Sequence, residues 1–398
     1  MASDMIGEKL RQAAELVAAS DLDVWLTFVR ETSGHMDPAL PFLTDAGLTW
    51  ESALMVFRSG RRIAVVGNYD ADPLRHSGHW DDVVPFVRSI GPELRQVLEA
   101  EITSETPRIG VNYSLDDDKA DGLTHGMYLR LEKLLSGTRF ESALVSAEDL
   151  VCELRGVKSP GELAHIGEAV AATLEAFARV PGWSRKGMSE RELYDQIQGF
   201  ARANGYGFSW EESGDPIVNF GPNSMIGHGV PSSTLALAEK LVLHIDLGLL
   251  VNGYASDLQR CWFTGRGPVP TEVEEALSAV NAAIDAGAER LRPGVQGVDV
   301  DAAARAEVIR RGFPEYLHAL GHQVGRMAHD GGGLLGPAWD RYGQSPFRPV
   351  QEGQVYTLEL GITLESYGYV GIEEMVRVGS DGVEWLAPRQ TSMPLLPI

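Results

Sequence analysis

The stretch from Leu243 to Cys261, LHIDLGLLVNGYASDLQRC, constrains this chain more than any other. Asn252-Gly253 lies between two apolar, β-rich runs, the strongest short-range signal for a two-residue type I′ hairpin. With those two residues in the turn, Val251 faces Tyr254, Gly248 faces Asp257 and Asp246 faces Gln259. Side chains alternate faces along a strand, so Asp246 and Asp257 share one face, a diagonal step apart. Gly248, opposite Asp257, leaves room between them. Two carboxylates so placed repel each other unless something positive lies between, because like charges sharing a site raise a pKa. A divalent metal ion is the simplest answer; two solvated aspartates on an exposed face are the alternative.

A second copy of the pattern decides between them. Tyr356 to Val378 reads YTLELGITLESYGYVGIEEMVRV, in which Glu359-Leu360-Gly361 repeats Asp246-Leu247-Gly248. A symmetric hairpin about the turn at Ser366 to Gly368 puts Glu359 and Glu373 on one face, with Gly361 near Glu373 and Glu374 pointing the other way. Two acidic hairpins of one design imply two half-domains converging on four carboxylates, a cluster that calls for a pair of metal ions.

At 398 residues the chain suits two domains, placed at 1–150 and 151–398. The first alternates helix and strand signals: helix at Lys9 to Ala19, strands at Val24 to Val29, Ala53 to Phe57, Arg62 to Val66, Val83 to Val87 and Arg108 to Val111, and helices near Pro92 to Ala100 and Gly122 to Leu135. That is an α/β domain. His76 and His79, with Asp72 and Asp81, read as a plain loop in preference to a metal site, since no further ligand has a recognisable spacing. The boundary falls between Ala147 and Ser159. Beyond it, Ser159/Glu162, Ser189/Glu192 and Thr271/Glu274 are capping boxes that open three helices. A fourth helix runs from Asp299 to Arg311 and stops at Gly312. Helices alternating with antiparallel hairpins make the second domain α+β.

The formal charge of 34 − 56 = −22 argues against nucleic acid or an anionic membrane as partner. Two cysteines make no disulfide framework, the N-terminus is a charged amphipathic helix without an apolar core, and no window holds 18 uninterrupted apolar residues. The expected location is the cytoplasm. Cys261 is in phase with Asp257 and reads as a packing residue more than a reactive thiol.

Histidines lie between and before the hairpins. His322, flanked by Gly321 and Gly325, can supply a nitrogen ligand, with His318 orienting it and His329 placed to touch a substrate. His228 sits in a Gly- and Pro-rich loop, where catalytic side chains commonly lie. His244, beside Asp246 in the strand, reads as a packed structural residue.

In order and in neighbours, Asp246, Asp257, His322, Glu359 and Glu373 resemble the five metal ligands of the M24 metallopeptidases, the family of methionine aminopeptidases, Xaa-Pro aminopeptidases, Xaa-Pro dipeptidases (prolidases) and creatinases. The resemblance begins at ELRGVKSPGEL, Glu153 to Leu163, and runs to the C-terminus. It implies a C-terminal pita-bread catalytic domain behind a smaller creatinase-like α/β domain. It also implies hydrolysis of Xaa-Pro dipeptides by a hydroxide bridging two metal ions, and a homodimer. His228 and His329 then match the family's active-site histidines, and Glu359 handles the water's proton. Four carboxylates and one imidazole are a hard donor set, favouring Mn²⁺, with Co²⁺ or Zn²⁺ able to bind. The chain departs from the family where Glu359-Leu360-Gly361 replaces E-P-G, where Gly371 replaces the arginine of R-I-E-D, and where Gln259 and Cys261 replace threonines. Arg348, then Arg377 and Arg326, are the cations offered for a substrate carboxylate; for each, an ordinary surface arginine is the alternative. The rival expectations are an Xaa-Pro aminopeptidase acting on longer peptides, a creatinase-like or osmolyte-degrading C–N hydrolase, and a metal-free interaction module of the same fold.

Overall fold

The computed structural model describes residues 4–227 and 229–398. The chain divides into two compact units, Met1–Arg155 and Gly156–Ile398.

The first unit is a six-stranded sheet of β1 (Val24–Val29), β2 (Ser52–Phe57), β3 (Arg62–Gly67), β4 (Asp82–Phe86), β5 (Ile109–Val111) and β6 (Leu144–Ser146), in the order β4-β3-β2-β1-β5-β6. Its helices are α1 (Met5–Ala19), α2 (Ala71–Ser77), α3 (Gly91–Glu101), α4 (His125–Leu135) and α5 (Glu148–Gly156). β1 and β2 are buried at every position because helices cover both faces. Leu10, Ala13 and Val17 of α1 pack with Trp25, Leu54 and Val56 on one face. Leu94 and Leu98 of α3, with Leu131 and Leu135 of α4, pack with Val24, Leu26 and Met55 on the other.

One expectation fails in this unit. His76 lies on the short helix α2, not in a loop, with Nδ1 on the Asp72 carbonyl at 2.7 Å as the i, i+4 spacing of a helix allows. The boundary segment is mostly the helix α5, which buries Val151 and Leu154 in the core of this unit.

The second unit carries β7 (Gly207–Phe208), β8 (Ile217–Phe220), β9 (Val242–Leu247), β10 (Leu249–Val251), β11 (Tyr254–Ala255), β12 (Leu258–Thr264), β13 (Gly321–His322), β14 (Leu334–Leu335), β15 (Val355–Leu364), β16 (Gly368–Val378), β17 (Val383–Trp385) and β18 (Leu395–Leu396). The main sheet runs β15-β16-β12-β9-β8, with β17 on β16 and β18 on β12. Its helices are α6 (Pro160–Trp183), α7 (Glu190–Ala203), α8 (Thr271–Arg290) and α9 (Gly297–Arg310). Both serine capping boxes form, at Ser159 and Ser189. The third does not: Pro270 takes the cap position and Thr271 becomes the first helical residue.

Alternation along β15 and β16 assigns their faces. Leu358, Leu360, Ile362, Val370, Ile372 and Val376 join one apolar cluster with Val273, Leu277 and Val280 of α8. The odd-numbered residues between them are left for the opposite face. Glu374, on the apolar side, is buried against Arg260 at 2.9 Å. Removing one member of a buried pair strands the other, so Glu374→Leu is expected to lower unfolding stability by roughly 3–5 kcal/mol in urea titration. A change under about 1 kcal/mol would show that Arg260 finds another anion or water.

Candidate metal centre

The first hairpin turns where its residues dictate. Asn252 and Gly253 both adopt positive φ, 50° and 76°, the type I′ geometry. Val251 pairs with Tyr254 and Asp246 with Gln259, the register set by a two-residue turn. In the second hairpin Glu359 pairs with Glu373 and Gly361 with Gly371. The two ribbons join through Gln259 and Glu373. Asp246, Gln259, Glu373 and Glu359 therefore stand in one row across four strands, and Asp257 shares their face two residues before Gln259.

The glycines do other work than expected. A Cβ at Gly248 would strike the Ser209 side chain and the Ser256 carbonyl, so its bareness admits a neighbouring strand and does not make a space between carboxylates. Gly361 and Gly371 lie under the Tyr369 ring.

His322 arrives on β13, close enough to β15 that a Cβ at Gly321 would overlap the Thr357 carbonyl. Its Nε2 is 3.5 Å from Glu359 Oε1, 3.7 Å from Asp257 Oδ2 and 3.9 Å from Glu373 Oε1. Nδ1 lies 3.0 Å from the Ala328 carbonyl. That acceptor puts the proton of the neutral ring on Nδ1 and aims the Nε2 lone pair at the carboxylates. Asp257, His322 and Glu373 bring ligand atoms within 4.8 Å of one another, the one such grouping of three among the described residues.

Burial dominates the electrostatics. It pushes Asp246, Asp257 and Glu373 well above the ordinary carboxylate range, and repulsion among the cluster's acids adds to it. Glu359 is pushed up to about 7 by burial, opposed by a hydrogen bond from Gln259. His322 is pulled down to about 3 by burial and then by His329. Two buried oxygens, Asp246 Oδ1 and Glu373 Oε1, have no hydrogen-bond partner. Orphaned buried acceptors are rare and costly, and a divalent cation satisfies both. The donor set fits such an ion.

The other expected residues fall as follows. His329 is exposed, its ring 4.2 Å from that of His322 and nearly perpendicular to it. His318 does not orient His322: the Ala328 carbonyl holds that position, and His318 Nδ1 is 2.7 Å from the Ala319 carbonyl. Arg348 acts on the buried Tyr356 hydroxyl, Arg377 is paired with Glu384 at 2.9 Å, and Arg326 lies over the Tyr254 ring at the first turn. Cys261 is buried, its thiol pushed up to about 12 and 3.1 Å from the Gly371 carbonyl. His228 lies outside the described residues.

Sequence reasoning passed over four groups at the site. Gln259 donates to Glu359 Oε2 at 3.0 Å and to Glu373 Oε2 at 3.2 Å. His244 holds the other end of that amide, and Tyr369 packs edge-on to His244. All three are in phase with an acidic residue on their own strand, so the period-two rule could have found them. Asp215 is buried beside Asp246 and accepts from the Ser209 and Gly248 backbone amides; it sits in a loop, where no period points to it.

A sheet that gathers carboxylates around one imidazole offers the donor set that a divalent cation takes. The model of metallopeptidase family M24 matches residues 164–380, more than half of the chain, and the chain belongs to that family. It is similar to the Xaa-Pro dipeptidase of Pyrococcus furiosus, 29% identical over 307 residues, covering 74% of this chain and 84% of that one. Among solved structures, dipeptidase PepE from Mycobacterium ulcerans superposes with a TM-score of 0.74 at 24% identity, covering 99% of this chain and 98% of the other. The X-Pro aminopeptidase from Thermotoga maritima gives 0.69 at 22%, covering 98% and 99%. The fold is the pita-bread fold of this family, with the M24 domain at the C-terminal end.

Proposed function

We propose that this chain is a metal-dependent exopeptidase that hydrolyses the Xaa-Pro bond of dipeptides. The observation that carries the proposal is the row of carboxylates facing His322 Nε2, with two orphaned oxygens among them. In this reading Asp246, Asp257, His322, Glu359 and Glu373 hold two divalent ions, Mn²⁺ by the hardness of the donors. Such ions, when bound, polarise the scissile carbonyl and lower the pKa of a water. Glu359, whose Oε1 lies 3.5 Å from His322 Nε2, moves the proton as the general acid–base group. His329, exposed beside His322, contacts the scissile carbonyl oxygen, and His228 shares that task by its place in the chain. The name of the Pyrococcus relative supports the proline preference. The same proposal includes a homodimer and a cytoplasmic location.

One observation favours a second reading, an Xaa-Pro aminopeptidase. Among the described residues, Tyr369, Gln259 and His244 are what a side chain at 371 would meet, in place of an arginine that could take a free carboxylate. Protein stripped with EDTA and reloaded with Mn²⁺ should release proline from Ala-Pro faster than it cleaves Ala-Pro-Ala. The reverse order selects the aminopeptidase, and no cleavage of either with Mn²⁺, Co²⁺ or Zn²⁺ removes both.

A further inference from the structure

The carboxylate row contains one neutral member, Gln259, and its surroundings fix which way its amide points. His244 Nε2 is 3.0 Å from Gln259 Oε1, and His244 Nδ1 is 3.0 Å from Asn219 Oδ1, whose Nδ2–H is donated to the Met225 carbonyl. His244 is buried between them. Carboxylate oxygens accept, so the Gln259 NH₂ faces Glu359 Oε2 and Glu373 Oε2, and its Oε1 faces the His244 ring. Each glutamate then has one oxygen tied and the other, Oε1, facing His322 Nε2. The arrangement needs Gly371: a Cβ there would lie 2.3 Å from the Tyr369 ring, 2.9 Å from Gln259 Oε1 and 3.0 Å from His244 Nε2. Gln259 and Gly371, separate departures from the family pattern, are thus halves of one feature.

We infer that Gln259, packed between His244 and the two acids, is a positioning residue that presets Glu359 and Glu373 for metal, an inference that rests on the metal-binding assignment proposed above. Hydrogen bonds to ligating side chains fix their geometry, and losing one typically weakens metal binding roughly 10–100-fold. The amide also sets two N–H donors among acids that otherwise repel, without adding a charge that would compete with the cation.

The test is Mn²⁺ binding by isothermal titration calorimetry on the full chain, with wild type, Gln259→Leu, His244→Leu, the double variant and Gly371→Ala, each first shown to be folded by circular dichroism. Gln259→Leu is expected to raise the Mn²⁺ Kd roughly 10–100-fold. His244→Leu should fall in the same range, and the double variant should be no weaker than Gln259→Leu, because the two act through one amide. Gly371→Ala, which keeps every hydrogen-bonding group, should weaken binding by pushing the Tyr369 ring and Gln259 out of place. Wild-type binding with Kd values within about twofold in Gln259→Leu and Gly371→Ala overturns the inference alone, as do additive losses in the double variant. Should Gln259→Leu not fold, Gly371→Ala and His244→Leu decide by the same limits. No Mn²⁺ binding by wild type overturns the assignment beneath it.

Discussion

Glu359→Gln is expected to lower kcat by roughly 10²–10⁴ while leaving the fold intact, the span typical of a lost general acid–base group. The substitution is conservative in shape and stays hydrogen-bonded: Gln259 already donates to Oε2, and an amide oxygen at 359 can accept the same bond. What disappears is a carboxylate able to take up and return a proton beside His322 Nε2. An amide neither takes up nor returns a proton, so turnover should stay low across the whole pH range. Steady-state kinetics on Ala-Pro from pH 5.5 to 8.5, at saturating Mn²⁺, separates this from lost metal. A kcat within tenfold of wild type would assign the proton to another group.

The second large effect is on stability, and its sign follows from the shifts. Glu359 is raised from an ordinary 4.5 to about 7, and Asp246, Asp257, Glu373 and Asp215 are raised by burial as well. A carboxyl whose folded pKa exceeds its unfolded one holds more protons folded than unfolded between those two values. Stability then falls as pH rises through that window, here from about 4.5 to 7 for Glu359. His322 and His244 work against this, pulled by burial from 6.5 to about 3 and about 4, each adding stability as pH rises toward 6.5. The raised carboxyls outnumber the two imidazoles, so the metal-free protein should melt several degrees higher at pH 5.5 than at 7.5. Mn²⁺ should reverse the order. At a hundredfold excess over Kd a ligand adds about 2.7 kcal/mol, and ligands that must be deprotonated bind better at the higher pH. Differential scanning calorimetry at both pH values, with and without Mn²⁺, reads the effect. A metal-free Tm that rises with pH, unmoved by Mn²⁺, would mean that the cluster is not the strained set of acids described above.

How far the chain could be read before its structure depended on whether a feature was local. The register of both hairpins was legible because a two-residue turn and a period of two leave little freedom; Glu374 turned away from the site as its parity required. The strand at Val24–Val29 was legible as a continuous apolar run. What escaped depended on partners distant in sequence. Gly248 yields to Ser209, and the proton of His322 is directed by the Ala328 carbonyl, neither of which any spacing announces. Thr271 failed as a cap because proline in front of it took the position. Gln259 was visible only as a missing threonine; its role needed the His244 ring across the strand and the space over Gly371 to be seen together.

The most direct test of the central claim is a crystal of this protein grown with excess Mn²⁺ and measured at the manganese absorption edge. Two anomalous peaks are expected among Asp246, Asp257, His322, Glu359 and Glu373, one of them within bonding distance of His322 Nε2. An anomalous map without a peak among those side chains would contradict the account.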